Sequence, residues 1–352
     1  MKSCHITLIL FFLCLFTQAA SPQWIKQNVN TTASLRGLSV VNEKIVWASG
    51  TGGTVIRTID GGEKWDVITV PGAEKLDFRD IEAFDDKTAY ILSIGNGESS
   101  RIYKTADGGK KWLLEFQNDD PKAFFDAIAC WDRDHCIAMS DPVGGHFLTI
   151  STTDGKAWQS PVSNKNLSAN DGEAAFAASG TCLIAQGKHS AFLVSGGSVS
   201  RVFESYDRGL TWNDDYDSPF VHGASGTGIF SIAMVDDKNG VIVGGNYEKP
   251  EEHEKNLAFT TDGGTTWTLR TGLNGYRSSV AYVNKNIILA VGTNGSDLSY
   301  DGGKTWSGLD KENYNAVQSK GLSATWAVGP KGRVAVCPIL QLQKTRESRR
   351  SN

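Results

Sequence analysis

The chain has 352 residues, of which 40% are apolar and 21% charged, with a formal net charge of −4. No basic stripe with interleaved aromatics is present, which excludes a nucleic-acid surface. The 38 glycines against 9 prolines suit many tight turns between short strands, and no helical periodicity competes with that reading.

In chain order, the first element is a targeting segment. Lys2 is a small positive region, Ile6–Phe16 an apolar core too short to span a bilayer, and Thr17 and Ala19 sit at −3 and −1 of a cut after Ala19. Residues 1–19 are therefore read as a signal peptide. The rest is expected to be an exported protein without a membrane span.

From Trp24 onward one repeat organises the chain. Its phrase is TIDGGEKW at Thr58–Trp65, TADGGKKW at Thr105–Trp112 and TTDGKAW at Thr152–Trp158. It returns as SYDRGLTW at Ser205–Trp212, TTDGGTTW at Thr260–Trp267 and SYDGGKTW at Ser299–Trp306. Trp-to-Trp steps run from 39 residues (Trp267 to Trp306) to 55 (Trp212 to Trp267), the length of a four-stranded propeller blade. Each repeat lays out strands A to D, with the phrase as the C–D turn. Strand B tends to end in small residues: Val46–Gly50, Cys182–Gly187, Val241–Gly245, Ile287–Gly292 and Thr325–Gly329. The Asp of the phrase can accept turn N–H groups, its later Gly can take a positive φ, and its Trp can fill apolar space. Blade three is one residue short between Asp154 and Trp158, so its turn should differ.

Cys130 and Cys136 flank a hairpin turn at Trp131–His135 and could face each other as a disulfide; the alternative is two buried thiols. No Cys/His spacing resembles a zinc site, and no metal or cofactor is expected. After Trp306 the chain has room for three more strands, Tyr314–Ser319, Ala324–Gly329 and Arg333–Val336, but no final phrase. The missing outer strand is found at the other end, as Trp24–Val29. The expected architecture is all-β: a seven-bladed β-propeller of four-stranded antiparallel blades spanning 20–338, its last blade closed by the N-terminal strand. Residues 339–352 are read as a polar basic tail.

Ser/Thr-x-Asp-x-Gly-x-x-Trp resembles the Asp-box, or BNR repeat, of sialidases, some glucanases, sortilin-type receptors and the photosystem II stability/assembly factor group. Five of the six phrases match it fully. Seven blades, one phrase per blade and strand pairs such as VWASGTGGTVIRTIDGGEKW and TWAVGPKGRV resemble the assembly-factor group most. That resemblance implies a propeller that binds protein partners without established catalysis.

In a propeller the D–A and B–C connections share one rim, opposite the Asp-box turns, and strand A lines the channel. Aligning the blades on their Trp strands puts Arg36, Arg79, Asp126, Glu173 and Arg277 at the starts of A strands, a convergence that would suit an anionic or carbohydrate ligand as well as a protein. The bland reading of the same residues is a salt-bridged plug. Three B–C loops add Asp141 and His146, His189, and the long Gly244–Asn256 with Tyr247. The leading expectation is a monomeric, non-catalytic propeller that binds a protein at this rim. The alternative is a sialidase-like glycoside hydrolase, with Arg36, Arg79 and Arg277 around a carboxylate substrate and Asp126 and Glu173 as paired carboxylates. Against it, the Arg-Ile-Pro expected near a sialidase's first blade is absent, and six blades are that family's norm.

Overall fold

The computed structural model describes residues 24–160, 167–213 and 218–339. The expected leader and the basic stretch from Lys344 lie outside the described residues. Seven antiparallel blades surround a channel. Blade one runs Leu35–Val40, Val46–Gly50, Thr54–Thr58 and Asp66–Thr69 from the channel outward. Blade two repeats this order with Asp77–Ala83, Ala89–Ile94, Arg101–Thr105 and Leu113–Gln117. The innermost strands of blades three to seven are Phe125–Cys130, Leu183–Gln186, Thr227–Met234, Ser279–Asn284 and Ala316–Ser319. In blades three and four the outer strand is represented by single bridges, Ser151 to Gln159 and Glu204 to Asn213.

Neighbouring innermost strands are too close for large side chains and are joined by side-chain-to-backbone hydrogen bonds. Ala83 N donates to Ser39 Oγ at 2.9 Å, Ile128 N to Asp80 Oδ2 at 2.8 Å, Val280 N to Ser231 Oγ at 3.0 Å and Val317 N to Ser279 Oγ at 3.2 Å. Gln318 joins blade seven to blade one through Val40 N. These bonds satisfy backbone donors that no ladder reaches at the channel wall.

The ring closes as expected. Ile25 pairs with Val336 and Lys26 with Ala335, which gives blade seven its outer strand. Trp24 takes the place of an Asp-box Trp: it packs on Tyr314 at 5.2 Å between ring centroids and donates its indole N–H to Ser296 Oγ of blade six at 2.9 Å. The other Trp residues reach the preceding blade in the same way. Trp65 meets Trp326 edge-on at 5.7 Å, and Trp158 meets Tyr90 at 6.0 Å. The core is thus a circle of inter-blade seams.

The Asp-box turn is a local hydrogen-bond circuit. In blade two, Thr105 Oγ1 donates to Asp107 Oδ1 at 3.1 Å and accepts Gly109 N–H at 2.9 Å, and Lys111 N donates to Asp107 Oδ1 at 2.9 Å. These backbone N–H groups hold the carboxyls of Asp60 and Asp107 below the usual carboxylate range. The short turn of blade three does differ. Asp154 Oδ1 accepts from Lys156 and Ala157, two and three residues on, instead of four. Replacing the buried Thr105 by Val strands the Gly109 N–H. It should cost about 1–3 kcal/mol, read as a lower denaturant midpoint with an unchanged m-value.

Cys130 and Cys136 are opposite each other in blade three and form a disulfide, with a Cα–Cα distance of 4.0 Å. Among the described residues no helix is long and apolar enough to cross a membrane.

Blade four departs from the expected assignment. Ser205, which opens its Asp-box phrase, ends the third strand, Val202–Ser205, so Ser190–Val194 is the second strand and Leu183–Gln186 the first. Cys182–Gly187, expected as strand B, therefore holds the innermost strand. The small-residue ending was misleading because Gly187, at φ +61°, serves an A–B turn here. Glu173 does not begin strand A. It lies in a short bridge, Glu173–Ala174 against Gly196–Gly197, ahead of the blade.

Candidate functional site

Four of the innermost strands carry a bulge near the start. The register slips between Leu35 and Gly37, Phe78 and Asp80, Phe125 and Ala127, and Ile229 and Ser231. The skipped residues are Arg36, Arg79, Asp126 and Phe230. A bulge leaves its extra residue out of the ladder and re-aims the side chain. All four line one cavity of about 430 Å³ at the channel mouth, together with Asp141, Phe176, Tyr247 and Tyr276. Another cavity, of about 500 Å³, lies between blades five and six beside their Asp-box turns, lined by Arg270, Lys285 and Lys304. It lacks a buried charged group, so the channel mouth is the better candidate.

The segment Glu173–Gly180 crosses this mouth. Arg36 Nη1 donates to Ala178 O at 3.0 Å and Arg79 Nη1 to Ala177 O at 3.2 Å. Ala175 N donates to Asp141 Oδ1 at 2.8 Å, and Ala177 N–H is directed at the Asp126 carboxyl. The Phe176 ring stacks flat on Phe230 at 3.8 Å, and Tyr276 and Tyr247 meet Phe230 edge-on at 4.7 and 6.1 Å. Arg79 also pairs with Asp77 at 2.9 Å.

Burial pushes Asp141 up to about 6, and burial together with the neighbouring Asp141 charge lifts Asp126 well above the carboxylate range. Asp126 Oδ2 has no hydrogen-bond partner among the described residues. Arg36 is lowered by its own burial and by Arg79. Deeper in the channel, burial raises Asp80 to about 7 and burial with the Asp80 charge raises Glu82 to about 8, against the opposing pull of Lys320. These carboxyls keep their protons in the fold to a higher pH than in the unfolded chain. Between about pH 4 and pH 8 the folded state then binds more protons, and stability falls as pH rises. The melting temperature should be lower at about pH 8.5 than at about pH 5.5, and Glu82→Gln should flatten the upper part of that slope. A melting temperature that climbs through this window would mean that the channel carboxyls are ionised in the fold.

Other expected site residues are placed elsewhere. Glu173 is buried against Arg201, Oε2 to Nη2 at 2.7 Å, and accepts Asn170 N–H at 2.9 Å. It is not paired with Asp126; the carboxyl beside Asp126 is Asp141. Arg277 is 1% exposed and bridges to Asp297 at 2.6 Å, with Asn294 Oδ1 on its other branch at 2.6 Å. It lies one residue out of register. A Cβ on Gly292 would meet Arg277 as one on Gly50 would meet Leu35, so Ser278, not Arg277, corresponds to Arg36 and lines the cavity. His146 is exposed after the Gly144–Gly145 turn and bridges to Ser168, outside the cavity lining. His189 sits in the A–B turn of blade four, where its carbonyl accepts Arg208 N–H of the Asp-box at 2.7 Å. It is on the rim opposite the mouth, because Leu183–Gln186 is the first strand of its blade and Ser190–Val194 the second. Among the described residues no group of three or more His, Cys, Asp or Glu is placed to hold a metal ion.

Sequence reasoning missed Phe176 and Tyr276. The available signal is the run AAFAAS at 174–179, one ring among small residues.

Residues 16–165 match the family model described as "Photosynthesis system II assembly factor YCF48". No curated protein matches this sequence. Among solved structures, a YCF48 structure bound to D1 peptide superposes with a TM-score of 0.65 at 18% identity, over 90% of this chain and 98% of that one. YCF48 from Cyanidioschyzon merolae gives 0.59 at 16%, with the same two coverages. U3-55K gives 0.62 at 13%, over 90% and 99%. At such identities the superpositions establish the fold. With its repeated Asp-box-like phrase and a family match over residues 16–165, the chain is a seven-bladed β-propeller that resembles the photosystem II stability/assembly factor group.

Proposed function

We propose that this chain is an exported, non-catalytic propeller that binds a protein partner at the channel-mouth rim, in the manner of an assembly or stability factor. The observation that carries this reading is the mouth itself. Two arginines from adjacent blades, the buried Asp126 with the half-buried Asp141, and a wall of aromatic rings converge there, with Tyr247 47% exposed at its edge. Aromatic and guanidinium groups around a concavity suit protein recognition. A peptide-bound YCF48 of the same fold supports the choice of partner class.

A photo-crosslinking side chain placed at Tyr247, with Ile59 on the Asp-box rim as control, tests this in the producing cell. Both positions are exposed. A discrete protein adduct should form from position 247 and not from 59, and Arg79→Ala should diminish it. Adducts from both positions alike, or from neither, would rule the rim out. A mature N-terminus that retains residues 1–19 would rule out export by this leader.

A further inference from the structure

The segment that crosses the channel mouth is bonded in an unusual way. Strands in this fold satisfy their backbone on neighbouring strands. Ala175, Ala177 and Ala178 are instead met by side chains of three other blades: Asp141 of blade three takes the Ala175 N–H, the Ala177 N–H is directed at Asp126 of the same blade, and Arg79 of blade two and Arg36 of blade one donate to the Ala177 and Ala178 carbonyls. Carboxyls meet the N–H groups at the start of the contact and guanidiniums meet the carbonyls at its end, where the chain turns tightly and Ala178 N donates to Phe176 O at 2.7 Å. Its one large side chain, Phe176, stacks on Phe230, whose ring Tyr276 and Tyr247 meet edge-on, and the flanking residues are alanines that let the backbone approach.

The segment is tethered on both sides of that contact. Upstream, Glu173 is held by Arg201, and Ala174 pairs with Gly196. Downstream, Ser179 Oγ donates to Ser278 O at 2.9 Å, and Gly180, at φ +78°, presses against the Asp80 carboxyl, where a Cβ would come within 2.1 Å. Between the tethers the hold is a few side-chain hydrogen bonds and one stacked ring. The mouth beside it remains an open cavity, and Asp126 Oδ2 in its wall is buried without a partner among the described residues.

We propose that the channel mouth is a receptor for a short, turned peptide in which one aromatic residue is flanked by small ones, and that Glu173–Gly180 occupies it in cis. A partner segment of that chemistry would bind by displacing Phe176. This deepens the rim-binding reading and rests on it.

The test uses the mature full-length protein and a fluorescent acetyl-AAFAAS-amide peptide, with acetyl-AAAAAS-amide as control. Phe176→Ala vacates the ring slot and should bind the aromatic peptide at least about tenfold tighter than wild type does, equivalent to about 1.4 kcal/mol. Adding Arg79→Ala should reverse the gain, and the control peptide should not bind. A folded Phe176→Ala protein that does not bind the peptide overturns the receptor; equal binding by wild type and variant overturns cis occupancy. If Phe176→Ala does not fold, Phe176→Leu is measured, which fills the slot without stacking. If neither folds, the segment is a structural strut and the proposal fails. A protein adduct at Tyr247 without peptide binding would leave the rim reading standing and remove only this one.

Discussion

Removing Trp24–Val29 is expected to abolish cooperative melting or drive aggregation, although it takes only a short terminal stretch. Two losses coincide. The third strand of blade seven, Val334–Val336, loses its outer partner and presents an open edge, the kind of surface that templates association. Trp24, 8% exposed, also leaves the seam between blades six and seven, where it covers Tyr314 and bonds Ser296. A buried Trp contributes about 200 Å²; at about 25 cal/mol per Å² that is roughly 5 kcal/mol before the lost hydrogen bond. The whole stability of an ordinary domain is about 5–15 kcal/mol, so this single loss is of the same order. Deleting Lys344–Asn352 is the control and should leave melting unchanged. Size-exclusion profiles and thermal melts of the two truncations decide the matter; matching melts would mean that the ring does not depend on this strand.

The second large effect is expected at Arg277. Its guanidinium donates through Nε and Nη2 to Asp297 Oδ2, at 2.8 and 2.6 Å, and through Nη1 to Tyr276 O at 2.7 Å. Both partners are excluded from solvent. Among the described residues, Arg277→Ala leaves the Asp297 charge buried with only Asn274 donating to it, from N at 3.0 Å and Nδ2 at 2.6 Å. Breaking a buried pair from one side costs about 3–5 kcal/mol. An apolar pair of similar volume, Arg277→Met with Asp297→Leu, should recover much of the loss, because no unpaired charge remains. Equilibrium urea unfolding of the single and double variants measures both. Under the expectation that Arg277 lines the mouth, the substitution would weaken partner capture and spare stability; the bonding observed here predicts the reverse.

How far the sequence reached follows from the range of the interactions that decide each feature. The Asp-box turn closes on itself within a few residues, Thr105 to Asp107 to Lys111, so its phrase is legible wherever it stands. A repeat of such turns at blade-length spacing requires a propeller, and the surplus strand at Trp24–Val29 against the missing one after Val336 requires closure. Blade count, ring closure and the altered turn at Asp154 were therefore available from residue order alone. The mouth was only partly so. Arg36, Arg79 and Asp126 reach it because strand pairing skips each of them, and a bulge is a property of two strands. At Arg277 the alignment ran one residue off, and a one-residue slip turns a side chain to the opposite face. In blade four the small residues that mark a second strand elsewhere mark a first strand, and only packing between its neighbours' innermost strands shows the difference. What the residue order determined was the blade and the ring, built from contacts near in sequence. Tertiary structure decided which side chains share the mouth, and that a stretch of the chain itself lies across it, because those contacts join residues from blades far apart in sequence and leave no local pattern.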